Sequence, residues 1–271
     1  MRFFQNLLRI FDTPMETPAL YGWFHLLFFG LTIVLAVLLV HIQNKTKSEK
    51  MPFRVMFITA VVVTVFEIYK QINFSFSYEN GVSFDYGWGS FPFQFCSTPM
   101  YVGLLIGIFR KGKIHDALAA YLATFAMFAG ACVMVYPGDV FIKTIGINIQ
   151  TMICHGSMIT VGSYLLATGY VKTEHKTILK ALCVFTCAVV IAIIMNEIAF
   201  YKGLLNDHYF NMFYFSPHCD PHLPVFSLVQ AAMDAPILEI IIYIAGFTLA
   251  AYIILLGAMG IKKLTKKKAP V

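Results

Sequence analysis

Seven stretches of this chain run for roughly 20 residues with almost no charge, the length a helix needs to cross the hydrocarbon of a bilayer. They extend from Leu20 to Val40, Phe53 to Ile72, Phe93 to Phe109, Ala117 to Val135, Ile149 to Tyr170, Leu179 to Phe200, and Ile237 to Met259. Composition agrees, with 59% hydrophobic and 13% charged residues and a mean hydropathy of +0.73, which excludes an ordinary soluble domain. The expected fold class is therefore all-α: a polytopic integral membrane protein, a single domain over residues 1–271 built as a bundle of seven transmembrane helices.

The first run lies too deep in the chain, and is too long, for a cleaved signal peptide; the polar Asp12, Thr13, Glu16 and Thr17 precede it. Within residues 1–18, Phe3, Phe4, Leu7, Leu8 and Phe11 share one helical face. That pattern suits a helix lying in the membrane interface, and equally an amphipathic contact with the bundle.

Net charge is +6, and its placement matters more than its size. Lys45, Lys47, Lys50 and Arg54 follow the first run, Arg110, Lys111 and Lys113 the third, and Lys172, Lys176 and Lys180 the fifth. Lys262, Lys263, Lys266, Lys267 and Lys268 lie in the tail at 260–271, so fifteen of the 20 basic residues sit on one side. The positive-inside bias assigns that side, with the C-terminus, to the cytoplasm and puts the N-terminus outside. Charges so distributed orient a membrane protein and imply no nucleic-acid partner. The loops carrying Glu79, Asp85, Asp139, Asp207 and Asp220, including the long one at 200–235, then face outward.

Ionisable and amide side chains within membrane spans are costly and mark partners, cavities or sites. Here they keep to one depth. His25 opens the first run; Glu67, Lys70 and Gln71 close the second; Gln94 and Cys96 open the third; His155 lies about two turns into the fifth. Asn196 and Glu197 close the sixth, and Glu239 begins the seventh. With ~1.5 Å of rise per residue, nearly all fall within roughly 10 Å of the outer boundary. The inner halves are apolar. A channel or transporter needs polar lining through the whole thickness, whereas a pocket in one leaflet suits chemistry on lipid or on an outside substrate. Structural readings stand beside the functional ones. Glu67 and Lys70 at i and i+3 can neutralise each other, His25 and Asn196 can bind neighbouring helices, and Glu239 behind Pro236 complements a helix dipole.

Pro92 suits a first helical turn, which would put Cys96 near a helix N-terminus where a thiolate is favoured. His155 at comparable depth could move protons for a thioester-forming acyl transfer, with Glu67 or Glu197 orienting the imidazole and Gln94 donating to an oxyanion. The alternative for Cys96 is a small buried hydrophobe. Cys132, Cys154, Cys183 and Cys187 are expected in packing, and the six cysteines show no disulfide framework. The segment SPHCDPHLP, with His218, Cys219, Asp220 and His222, reads as a proline-stiffened loop rather than a zinc site. No metal or cofactor is expected.

These residues together resemble the YwaF-like family of bacterial integral membrane proteins and, more distantly, eukaryotic transmembrane acyltransferases of ether phospholipids. Phe91-Pro92-Phe93-Gln94-Phe95-Cys96-Ser97 is similar to a Leu-Pro-Leu-His-Leu-Cys-Ser motif at its proline, cysteine and serine, with Gln94 in place of histidine. His155-Gly156, His25, and Asn211 ahead of Pro217 match further family positions. The resemblance implies a cysteine and histidine pair acting on membrane lipid acyl chains in a bacterial cytoplasmic membrane. The departure at Gln94 would leave His155 as the base. The expected function is thus a lipid acyltransferase, or a thioester-forming hydrolase, built on Cys96 and His155. The alternative is a non-enzymatic binding or transport component with an outer polar pocket.

Overall fold

The computed structural model describes residues 2–77, 81–203, 210–219, 226–232 and 235–267. Each apolar run lies on a helix. In chain order these are α2 (Trp23–Thr46), α3 (Met51–Ser75), α4 (Thr98–Ile108), α5 (Lys113–Tyr121) continuing into α6 (Met127–Val135), α7 (Ile145–Ala167), α8 (His175–Tyr201) and α10 (Pro236–Lys267). A π-helical turn, Leu122–Ala126, joins α5 to α6, and all five of its side chains are buried. Two short helices complete the set, α1 (Arg2–Phe11) and α9 (Phe226–Ala232).

Five helices among the described residues are long and apolar enough to cross a membrane: Trp23–Thr46, Met51–Ser75, Lys113–Val135, His175–Tyr201 and Pro236–Thr265. The other two runs fall short for different reasons. The third forms only a short apolar helix, Phe95–Ile108. The fifth forms α7, which is 23 residues long and carries no acidic or basic side chain except His155, but is rich in amides, hydroxyls and glycine. Burial explains its composition. Fifteen of those residues are buried, whereas only 17% of the apolar window of α2 or of α10 is. α7 therefore faces protein rather than lipid.

Close approach of its neighbours depends on missing side chains. A Cβ on Gly130 of α6 would fall 2.6 Å from the His155 carbonyl oxygen, and one on Gly162 of α7 would fall 2.6 Å from the Met127 Cβ. Small residues thus let the α6 and α7 backbones nearly touch, the usual basis of tight packing between apolar helices in lipid. On its other flank α7 meets α2, where the Thr160 hydroxyl donates to the Thr32 carbonyl at 3.4 Å.

An aromatic core ties the remaining helices together. Phe185 of α8 stacks on Phe125 of the π turn at 4.5 Å, and Tyr243 lies 4.5 Å from Phe247 along α10. Phe95 stacks on Phe213 of the loop after α8 at 5.7 Å. Offset and edge contacts of this kind add roughly 0.5–1.5 kcal/mol each beyond burial.

The N-terminal segment is held by the bundle as well as offering apolar surface. Leu8 is buried, and Phe4 and Phe11 pack edge-on against Phe76 and Tyr69, while Phe3 points outward. The strap after α1 zips onto the segment ahead of α7, Met15 N–H donating to Lys143 at 2.9 Å and Ile145 N–H to Thr13 at 3.1 Å. Two strands, β1 (Phe76–Ser77) and β2 (Ser83–Phe84), pair antiparallel beyond α3 with Phe76 opposite Phe84.

Candidate functional site

Cys96 does not sit where Pro92 suggested. The chain stays non-helical through Gln94, makes a 3-10 turn over Phe95–Ser97, and enters α4 at Thr98, with Pro99 in its first turn. Pro99 rather than Pro92 supplies the helix start, because its missing N–H falls where no intrahelical acceptor exists. Cys96 is consequently in the turn ahead of the helix. The Gln94 carbonyl there accepts from Ser97 N–H at 2.8 Å and Thr98 N–H at 3.2 Å. The Thr98 hydroxyl bonds to that of Tyr121, a fully buried side chain within electrostatic reach of Cys96. Nothing in the apolar run around Tyr121 marked it as a neighbour of the thiol.

Beside this turn lies a charged cluster on the last turns of α3. Glu67, only 5% exposed, receives Lys70 Nζ at 2.7 Å and Gln71 Nε2 at 2.9 Å. Gln71 also donates to the Ser90 carbonyl at 2.7 Å and accepts from the Tyr86 hydroxyl at 2.7 Å. The carboxylate is thereby neutralised and fixed, as a buried charge must be. The Glu67–Lys70 pairing expected from their spacing is present, extended by a loop that their spacing did not reveal. Both side chains lie within electrostatic reach of Cys96 and Cys154, and Lys70 also within reach of His155.

His155 is buried in α7, its Nδ1 held 2.7 Å from the Thr151 carbonyl oxygen. That bond puts the proton on Nδ1 and leaves Nε2 as an acceptor without a hydrogen bond among the described residues. Neither Glu67 nor Glu197 orients the ring, contrary to expectation; the preceding turn of its own helix does. Cys154 points elsewhere. Its Sγ accepts from Gln150 Nε2 at 3.4 Å and packs with Val63 and Met100. It also borders a small cavity of about 20 Å³ between α3, α4 and α7 with Met56, Leu122 and Met158. The other cysteines expected in packing differ: Cys132, Cys183 and Cys187 face out of the bundle. A thiol is apolar enough to meet lipid.

Several polar residues at this depth act as fasteners. Gln94 donates to the Asn211 carbonyl and accepts from Phe213 N–H, both at 3.0 Å, so its amide fastens the loop after α8. Asn196 clasps Met212 from both sides, at 3.0 and 2.7 Å. Asn211 accepts from Ser216 N–H at 2.9 Å, and the Tyr243 hydroxyl donates to the Phe213 carbonyl at 3.0 Å. Together they hold a loop in which Phe213 and Tyr214 adopt positive φ of 61° and 56°. Asn148, not singled out from sequence, clasps Ile142 in the same manner at 2.9 and 2.7 Å.

His25 likewise has both nitrogens engaged, with Tyr21 N–H at 3.1 Å and the Met134 carbonyl at 2.8 Å, and so joins α2 to the end of α6. Glu197, half-exposed, pairs with His218 at 3.1 Å, and His218 stacks on Phe200 at 3.7 Å. Asp220 and His222 of that loop lie outside the described residues, as do Glu79, Asp207 and Lys268. Glu239 accepts from Ala235 N–H at 3.4 Å at the start of α10, where a carboxylate complements the helix dipole. Cys96, Glu67, Lys70 and His155 are not among the fasteners; Glu67 and Lys70 form an ion pair, and no hydrogen bond joins Cys96 to His155 among the described residues.

No curated protein and no solved structure matches the chain. A family model does, described as the TMEM164 family, and it matches residues 20–259, from the start of α2 to near the end of α10. Covering every element that builds the bundle, the match shows that this integral membrane protein belongs to the TMEM164 family.

Proposed function

We propose that the protein transfers acyl chains between membrane lipids, with Cys96 as nucleophile and His155 as general base. The observation that supports this reading is that the Nδ1 bond of buried His155 to the Thr151 carbonyl oxygen turns Nε2 into a potential proton acceptor, while the chain also carries a free cysteine in the turn leading into α4. Cys96 is a free cysteine, and among the described residues the Nε2 of His155 has no hydrogen bond.

In the first half-reaction His155 Nε2 takes the thiol proton and the sulfur attacks an ester carbonyl. The tetrahedral intermediate collapses to a thioester, and the departing alkoxide leaves as an alcohol with the proton from the imidazolium. In the second, the base takes a proton from an acceptor hydroxyl, whose oxygen attacks the thioester. A new ester forms and the sulfur leaves as a thiol. Nucleophile and base each act twice, and no external oxidant or reductant is required.

The same reading has all seven runs crossing the membrane, α4 and the protein-shielded α7 included, with the lysine-rich end in the cytoplasm of a bacterium and the Cys96 end outside. The lysine distribution supports it. Full-length protein in detergent should be treated with an alkyne-tagged long-chain acyl electrophile. The expected result is labelling of Cys96 that disappears in Cys96→Ala and slows in His155→Ala, with melting temperatures unchanged. Labelling that persists in Cys96→Ala rules the proposal out. A thiol with no reactivity, together with ligand stabilisation abolished by Glu67→Gln or Lys70→Met, favours a binding or transport component instead.

A further inference from the structure

At the opposite end of the bundle the corner between α4 and α5 meets the turn between α7 and α8 and encloses a cavity of about 350 Å³. That volume lies at the lower bound of ordinary small-ligand sites. Its lining is strongly basic: Arg110, Lys111, Lys172 and Lys180 against a single carboxylate, Asp116. Lys180 partly satisfies that carboxylate at 3.3 Å. Lys111 and Lys172 have no acidic partner among the described residues. Arg110 lies over the Phe53 ring at 5.1 Å and donates to the Gly107 carbonyl, which fixes its direction.

Like charges converge here on a rigid frame. His115, 5% exposed, bonds through Nδ1 to the Phe109 carbonyl at 2.9 Å and through Nε2 to the Tyr170 hydroxyl at 2.6 Å. One imidazole thereby ties together the two corners that supply the cations. The Thr177 hydroxyl donates to the Lys172 carbonyl at 2.5 Å and anchors the other wall. The N-terminus of α5 opens on the same space. Gly112, at φ 92°, precedes it without any side-chain cap, and the first helical bond is made by Asp116 N–H. The amides of the first turn therefore add to the positive potential. Four basic side chains grouped around one pocket with a single carboxylate make a positive surface suited to an anion.

We infer that this cavity binds a phosphate-bearing anion at the membrane surface. The chemistry is that of a phosphodiester headgroup or of free phosphate, and either would bring the charge that the lining lacks. The site is separate from Cys96 and does not depend on the acyl-transfer reading.

The test uses the full chain in a neutral detergent, with binding followed by thermal shift against dihexanoyl phosphatidylglycerol and, separately, inorganic phosphate. Lys111→Gln/Lys172→Gln should weaken binding roughly tenfold to thirtyfold, given about 1 kcal/mol per basic residue near an anionic lipid. Lys111→Arg/Lys172→Arg should bind within about threefold of the parent, showing that charge rather than folding is at issue. Lys262→Gln/Lys263→Gln, which removes the same charge from α10, should have little effect. Saturation by the lipid alone identifies a headgroup site, and equal saturation by inorganic phosphate a soluble-anion site; both support the inference. Binding of neither probe, undiminished binding in the glutamine variant, or an equal loss in the α10 variant overturns it.

Discussion

Asn196 and His155 are both polar, both buried and both on long helices of the bundle, yet their hydrogen bonding differs. Both the oxygen and the nitrogen of the Asn196 amide are matched to the backbone of Met212, whereas among the described residues His155 is matched on one nitrogen only. The contrast extends to their neighbourhoods. Gln94, Asn148, Asn211 and His25 resemble Asn196 in closing loops and helix ends. Within a membrane protein, depth and polarity alone do not separate structure from function. The proposed division rests instead on whether hydrogen-bonding capacity is already satisfied.

The sharpest way to break this division is at the thiol. Cys96→Ala should abolish acyl-probe labelling entirely while leaving the melting temperature of the protein in detergent unchanged. His155→Ala should follow, slowing the rate of labelling by about 10²- to 10⁴-fold, as loss of a general base does, measured by quenched time courses. A fastener should respond the other way. Asn196→Leu leaves the Met212 N–H and carbonyl buried without partners and should lower stability by about 2–4 kcal/mol in denaturant titration, with labelling of the folded fraction retained. The smallest effect is expected at the half-exposed Glu197–His218 pair, where Glu197→Gln should lower stability by less than about 1 kcal/mol. If Asn196→Leu abolished labelling at unchanged stability, the two groups would be one.

Much of the frame was legible in the sequence because lipid imposes a strict rule on what faces it. All seven apolar runs are helical, and the Glu67–Lys70 pair follows from a spacing of three on one helix. What was not legible depends on partners far along the chain. Gln94 meets Asn211 and Phe213 more than a hundred residues away, and His25 meets the Met134 carbonyl at a similar remove. No local pattern encodes an acceptor that is only backbone. The misplaced start of α4 has a nearer cause. Two prolines, Pro92 and Pro99, each satisfy the first-turn rule, and the choice between them is made by Gln94 and Phe95, which are held to the distant loop and to Phe213.

α7 also changes what a substitution means. On the outward faces of α2 and α10, exchanging one aliphatic residue for a larger one alters only which fat molecules lie alongside. At Gly130 or Gly162 the same exchange wedges two backbones apart, so added oiliness becomes a defect. The most damaging changes to this protein's membrane domain are then those that a hydropathy plot scores as improvements.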